Sequence, residues 1–179
     1  MVLAGDDEFV LAWASLAFAY ESGELERGSD LADRALAIDP NLSSGWNARG
    51  WISASLGDSA RALDAFDRAI RLNPADNWTV SVAMRGRCAA LFLLDRHSEA
   101  LDSAKRLLAR HPGDLNGLFT QWVLDPDQAG AGKAAGQTIR TLYPQLRNSI
   151  LRSMFLAPTL SLKHRSMVED AIARLGLPE

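Results

Sequence analysis

Residues 43–76 read SSGWNARGWISASLGDSARALDAFDRAIRLNPAD, and this stretch decides the fold. Its first half is apolar at Trp46, Ile52 and Leu56, with Gly50 among them. Gly57-Asp58 makes a turn. The second half sets Ala62, Leu63, Phe66, Ala69 and Ile70 on one helical face. Gly50 and Ala62 are small where two helices must approach, and Trp46 and Phe66 are large where the gap must be filled. Pro74 ends the second helix, because proline cannot continue a helix and pushes the residue before it out of helical geometry. The stretch predicts a helical hairpin with Trp46 and Phe66 as core wedges.

The ending recurs along the chain. ALAIDP closes at Pro40, AIRLNP at Pro74, LLARHP at Pro112 and IRTLYP at Pro144. Each is the tail of an amphipathic helix stopped by proline. A break repeated at near-constant spacing means an array of repeats, and a period of about 34 residues means one helix–turn–helix per repeat.

On these residues the block resembles a tetratricopeptide repeat. Trp46, Gly50, Ala62, Phe66, Ala69 and Pro74 all stand at signature positions in one frame. Ser53 stands where an aromatic is usual, so the packing of that ring is either missing or supplied by Trp51. The frame extends to residues 9–42, with Leu16, Gly28, Ala32, Ala35 and Pro40, and to residues 81–114, with Cys88, Ala100, Ala104, Leu107 and Pro112. The expected organisation is a lead over 1–8, repeats over 9–42, 43–76 and 77–114, a degenerate fourth over 115–144, and capping helices over 145–179. Residues 77–80 are extra and lengthen the first helix of the third repeat. In the fourth unit, residues 115–124 form a short helix, and Asp125-Pro126 starts another that runs to about Leu142. A helix near 145–154 and a last one near 162–175 complete the cap, since terminal units of such arrays depart from the repeat. The fold class is all-α, and the resemblance implies a right-handed superhelix.

The composition excludes several functions. Acidic and basic residues are mixed, with a formal net charge of −3 and no basic stripe, so nucleic-acid binding is not expected. Cys88 is the only cysteine, so no internal disulfide forms, and its place in the frame predicts a buried structural thiol. The N-terminus lacks the pattern of a signal peptide. Residues 9–20, FVLAWASLAFAY, are apolar on every side but fall well short of the roughly 20 residues that cross a bilayer. A cytoplasmic protein with no membrane association is expected.

No constellation for catalysis appears, and no cofactor is implied. AGAGKA at 129–134 has Asp127 where a phosphate loop needs glycine and Ala134 where it needs Ser or Thr, so these glycines are read as a small-residue helix contact. His97, His111 and His164 lack metal-ligand spacing, and His111 sits at a helix C-terminus. Asp30, Asp33, Asp64 and Asp67 are read as solvated partners of arginines three or four residues away. The segment is not expected to be an enzyme.

A helix apolar all round is normally covered on both sides. Residues 9–20 therefore predict that something precedes this segment or packs on it, including a second copy in a homodimer. The tail, from Leu142–Ser149 with its L-x-P-x-L-R-x-S pattern to Gly176–Glu179, GLPE, together with Gly50-Trp51, is similar to the C-terminal end of a bacterial group. That group places such repeats after a class III adenylate or guanylate cyclase domain or a winged-helix DNA-binding domain. The resemblance implies a regulatory module in a larger bacterial signalling protein, its partner an upstream domain of the same chain. The alternative is a free-standing adaptor or self-associating scaffold.

The tetratricopeptide resemblance also implies a concave groove lined by the first helix of each repeat. Here it would comprise Val10, Trp13, Ala17 and Tyr20, then Ser44, Asn47, Trp51 and Ser55, then Arg85, Ala89 and Phe92. This lining is aromatic with one cation and suits an apolar or helical protein or peptide. The alternative is that these aromatics pack against the array's own C-terminal helices.

Overall fold

The computed structural model describes residues 24–73, 78–125, 130–156 and 160–179. Among them are nine α-helices and no strand. In chain order they are α1 (Leu25–Ile38), α2 (Ser43–Ser55), α3 (Ser59–Leu72), α4 (Trp78–Leu93), α5 (His97–Arg110), α6 (Leu115–Leu124), α7 (Ala131–Leu142), α8 (Asn148–Phe155) and α9 (Leu162–Leu175). The chain divides into two compact units, residues 1–90 and 91–179. The apolar stretch 9–20, and with it Val10, Trp13, Ala17 and Tyr20, lies outside the described residues.

In the first unit α1 packs on α2, and α2 on α3. The turn between α2 and α3 uses Gly57 at φ 84°, a left-handed conformation that glycine adopts without penalty. Asp58 then caps α3 by accepting a hydrogen bond from the Arg61 amide at 2.9 Å. Phe66 of α3 is completely buried. A Cβ added at Gly50 of α2 would stand 2.5 Å from its ring, and one at Gly86 of α4 would overlap it. The ring thus fills the space left by two helices that present only backbone. Trp51 meets it edge-on, with ring centroids 5.4 Å apart, and supplies the aromatic packing that Ser53 cannot.

Trp46 departs from expectation. It is half-buried, not a core wedge. Its indole N–H donates to the Pro40 carbonyl at 2.8 Å, and the guanidiniums of Arg68 and Arg49 lie 4.5 and 5.6 Å from its ring. Two cations and a backbone carbonyl hold the ring at the rim of the hairpin, where one face can stay wet. Asp33 and Asp67 also differ from expectation. Asp33 pairs with Arg49 at 2.8 Å and Asp67 with Arg87 at 2.6 Å, so both tie one helix to another. Asp64 does pair within its helix, with Arg68 at 3.0 Å. Cys88 is buried.

In the second unit α5 packs on α6, α6 on α7, and α9 on α6 and α8. Trp122 of α6 lies at the centre of its core, among Ile139, Leu151, Val168 and Ile172. Its N–H donates to the Ala171 carbonyl at 2.7 Å, and a Cβ at Gly136 of α7 would stand 2.5 Å from its ring. The pairing of a large ring with a bare glycine recurs from the first unit, with the two partners exchanged between the helices of the hairpin.

The start of α7 corrects the sequence reading. Gly130 is not helical, at φ −159°, and α7 begins at Ala131, so no single helix runs from Asp125-Pro126 to Leu142. Asp125 still caps it, because its carboxylate Oδ2 accepts from the Gly130 and Gly132 amides at 3.2 and 3.0 Å. The glycine pattern that suggested a phosphate loop is thus engaged by the chain's own carboxylate. No described helix is long and apolar enough to cross a membrane.

Candidate functional site

Ser44, Asn47, Trp51 and Ser55 recur every three or four residues along α2 and share one face of it. Ser55 returns its hydroxyl to the Trp51 carbonyl at 3.0 Å. The other three carry polar atoms without partners. Asn47 is fully buried, and among the described residues neither its amide nitrogen nor its amide oxygen has a hydrogen-bond partner. Ser44 Oγ and Trp51 Nε1 are likewise buried and unmatched. Leaving one buried donor or acceptor unsatisfied costs about 1–3 kcal/mol. Four such atoms on a single helical face stand out, because native proteins pair nearly all buried polar groups.

Arg85 and Ala89 stand on α4, whose Gly86 touches the same Phe66 ring that Gly50 and Trp51 of α2 touch. Arg85 is half-buried, its guanidinium 5.5 Å from the Trp78 ring, and Ala89 is exposed. Ser44, Asn47, Trp51, Ser55, Arg85 and Ala89 therefore belong to one unit, with Trp51 against the Phe66 ring. Phe92 belongs to the second unit, where it packs on the last helix. Its ring lies 4.9 Å from that of His164 in α9 and 6.1 Å from that of His97. For Phe92 the alternative reading, packing against the C-terminal helices, describes what is found. The unmatched polar atoms were not legible beforehand, because an asparagine on a helix face reads as solvated until its surroundings are known.

A concavity of about 230 Å³ lies between α2 and α3, lined by Trp46, Arg49, Arg61, Asp64, Ala65 and Arg68. Each arginine there has an aspartate, with Arg49–Asp33 at 2.8 Å, Arg68–Asp64 at 3.0 Å and Arg61–Asp58 at 3.7 Å. Its cations are matched one for one, so its charge selects no anion. No group of His, Cys, Asp or Glu among the described residues is arranged to hold a metal ion.

In the second unit Asp95, at φ 57°, ties the α4–α5 turn to α9. Its carboxylate accepts from Lys163 at 2.6 Å and from His164 Nε2 at 3.2 Å, and the Lys163 ammonium holds it below its ordinary pKa. His164 Nδ1 meets Ser161 Oγ at 2.8 Å, and Ser161 also caps α9. These contacts fasten the last helix to the unit.

Comparison with known proteins agrees with this architecture. Residues 43–76 match the family model "Tetratricopeptide repeat". The chain is 26% identical over 169 residues to anaphase-promoting complex subunit 3 of Schizosaccharomyces pombe, covering 94% of this chain and 22% of that protein. It thus spans about a fifth of that relative. Among solved structures, MamA (residues 41 to the end) from Desulfovibrio magneticus RS-1 superposes with a TM-score of 0.67 at 19% identity, covering 95% of this chain and 96% of the other. YrrB, described as a TPR protein with an unusual peptide-binding site, superposes with a TM-score of 0.62 at 16% identity, covering 88% and 81%. The chain therefore has the all-α fold of tetratricopeptide repeat proteins.

Proposed function

We propose that this chain is a non-catalytic protein-interaction module that receives a segment of a partner protein on the face of α2 bearing Ser44, Asn47 and Trp51. The observation that carries this reading is Asn47, completely buried with both amide atoms unmatched. A primary amide offers one acceptor and two donors, a complement to a peptide backbone. A bound segment that supplied a C=O and an N–H would remove the desolvation cost the amide now carries. Asn47 is enclosed, so the partner must displace what covers it. Trp51, Ser55 and Arg85, half-buried, and Ala89, exposed, mark the accessible part of the surface. An apolar or helical segment suits that part. The peptide site named for YrrB and the multisubunit complex named for the yeast relative favour a protein or peptide ligand.

The reading of the chain as the C-terminal part of a nucleotide cyclase or winged-helix regulator rests on the tail resemblance alone and draws no support from these relatives. A free-standing adaptor accounts for the same surface. Homodimerisation through residues 9–20 concerns a stretch outside the described residues.

The test is selection of peptides from a random display library against the chain, followed by titration of the winners. Asn47→Ala, and separately Trp51→Ala with Arg85→Ala, should each weaken binding by about tenfold or more, equivalent to about 1.4 kcal/mol. Unchanged affinity in both variants would remove this face from consideration.

A further inference from the structure

The last residues of the chain lie against the start of α8. The Asn148 backbone N–H donates to the Pro178 carbonyl at 2.8 Å, and the Asn148 side-chain nitrogen to the Leu177 carbonyl at 3.0 Å. Arg147 donates to the Glu179 main-chain oxygen at 3.0 Å. The Glu179 carboxylate accepts from Arg152 at 2.7 Å and from the Asn148 amide at 3.2 Å. Arg152 is oriented by a second contact, with Glu169 at 3.2 Å. Every one of these bonds to the tail goes either to a main-chain oxygen of three consecutive residues or to one carboxylate. Such a grip selects an extended backbone carrying an acid, and the half-buried Leu177 side chain packs on the unit's core beside it.

Two features show that the tail does not exhaust the grip. Asn148 is 7% exposed, yet among the described residues its buried Oδ1 has no hydrogen-bond partner. The tail can offer few N–H groups there, since Pro178 has none. Gly176 takes a left-handed conformation at φ 62°, and beyond it Pro178 and Glu179 are exposed. The tail thus leaves α9 at the residue type that turns most freely.

We propose that Arg147, Asn148 and Arg152 form a recognition site for an extended acidic peptide segment of a partner protein, and that residues 177–179 occupy it in cis as a replaceable placeholder. Charge complementarity favours this occupant: two guanidiniums and a side-chain amide converge on one acidic residue. The site lies in the second unit and is independent of the α2 face. A tethered tail competes at high effective concentration, so an incoming segment gains access when the tail's acid is removed or outmatched.

The experiment uses the full chain and an amidated, fluorescein-labelled peptide of the sequence ARLGLPE, followed by fluorescence anisotropy. The Glu179→Ala chain should bind it saturably, about tenfold or more tighter than the unsubstituted chain, whose own tail competes. Adding Arg152→Ala to Glu179→Ala should abolish binding. If that double variant loses its helical circular dichroism, Glu179→Ala with Arg147→Ala takes its place and should weaken binding by about tenfold. No saturable binding to the Glu179→Ala chain, or binding undiminished by loss of the arginine, overturns the proposal.

Discussion

Phe66 rests on Gly50 so closely that a methyl group at position 50 would stand 2.5 Å from its ring. Side-chain Cβ atoms do not approach another carbon to that distance, and Phe66 is enclosed, with nowhere to retreat. The helices α2 and α3 are therefore spaced by a ring on one and by the lack of a side chain on the other.

Gly50→Ala should accordingly destabilise the chain. Overpacking a filled core costs about 1–3 kcal/mol, and the gain in helix propensity from Gly to Ala offsets about 1 kcal/mol of it. A net loss in a urea titration is expected. Phe66→Leu, which shortens the group facing position 50, should cost less in the Gly50→Ala background than alone. Additive losses would mean that the two positions are not in contact.

Trp122 carries the corresponding load in the second unit. Trp122→Ala removes a fully enclosed indole and should cost about 3–5 kcal/mol. Trp122→Phe keeps most of the ring but removes the N–H that donates to the Ala171 carbonyl at 2.7 Å. It should cost about 1–3 kcal/mol, including loss of the hydrogen bond. Equal losses for the two variants would show that the hydrogen bond, not the packing, matters there.

Much of this architecture was legible in the chain because its signals are local. Proline-terminated amphipathic helices announce themselves within one turn, and Gly50, Ala62 and Phe66 show their pairing by size alone. What was illegible depends on neighbours distant in sequence. Trp46 and Phe66 are both large aromatics on the same hairpin, and only the folded chain shows that Arg68 and Arg49 hold Trp46 at the rim. Asp125 accepts from the Gly130 and Gly132 amides, five and seven residues on, a contact that the local helix-start pattern does not show. The Leu142–Ser149 and Gly176–Glu179 patterns were visible as separate pieces, and their meeting through Asn148 appears only in three dimensions.

The different places of Trp46 and Phe66 have a measurable consequence. Phe66→Ala should cost about 3–5 kcal/mol, as for a fully buried aromatic. Trp46→Ala removes a half-exposed ring and should cost less, despite the larger side chain. Thermal unfolding of the two single variants ranks them, and a larger drop for Trp46→Ala would return that residue to the core.

Asn47 separates stability from binding. Its amide is buried without partners, so Asn47→Leu, similar in volume, replaces an unsatisfied polar group by an apolar one. Such a change can be near neutral or stabilising. A midpoint in urea equal to or above that of the unsubstituted chain is expected, together with loss of affinity for selected peptides. A marked destabilisation would mean that the amide has partners in solution.

The clasp between Glu179 and α8 should respond to acid. The Arg152 guanidinium and then the Asn148 amide hold the Glu179 carboxyl below its ordinary pKa. A carboxyl whose pKa is lower in the folded than in the unfolded chain binds fewer protons when folded. Its contribution is therefore complete above the ordinary value of about 4.5 and is lost as pH falls through the lowered folded value. The Asp95 carboxyl, held down by the Lys163 ammonium, titrates in the same sense. The two are told apart by the Asn148 amide resonance, whose N–H donates to Pro178 beside Glu179. That resonance should hold steady from pH 7 to about 5 and move below it. In the Glu179→Gln chain, which has no charge to lose, it should stay still over the same range. Movement of equal size in both chains would place the acid response at a carboxyl other than Glu179 and leave the clasp indifferent to pH.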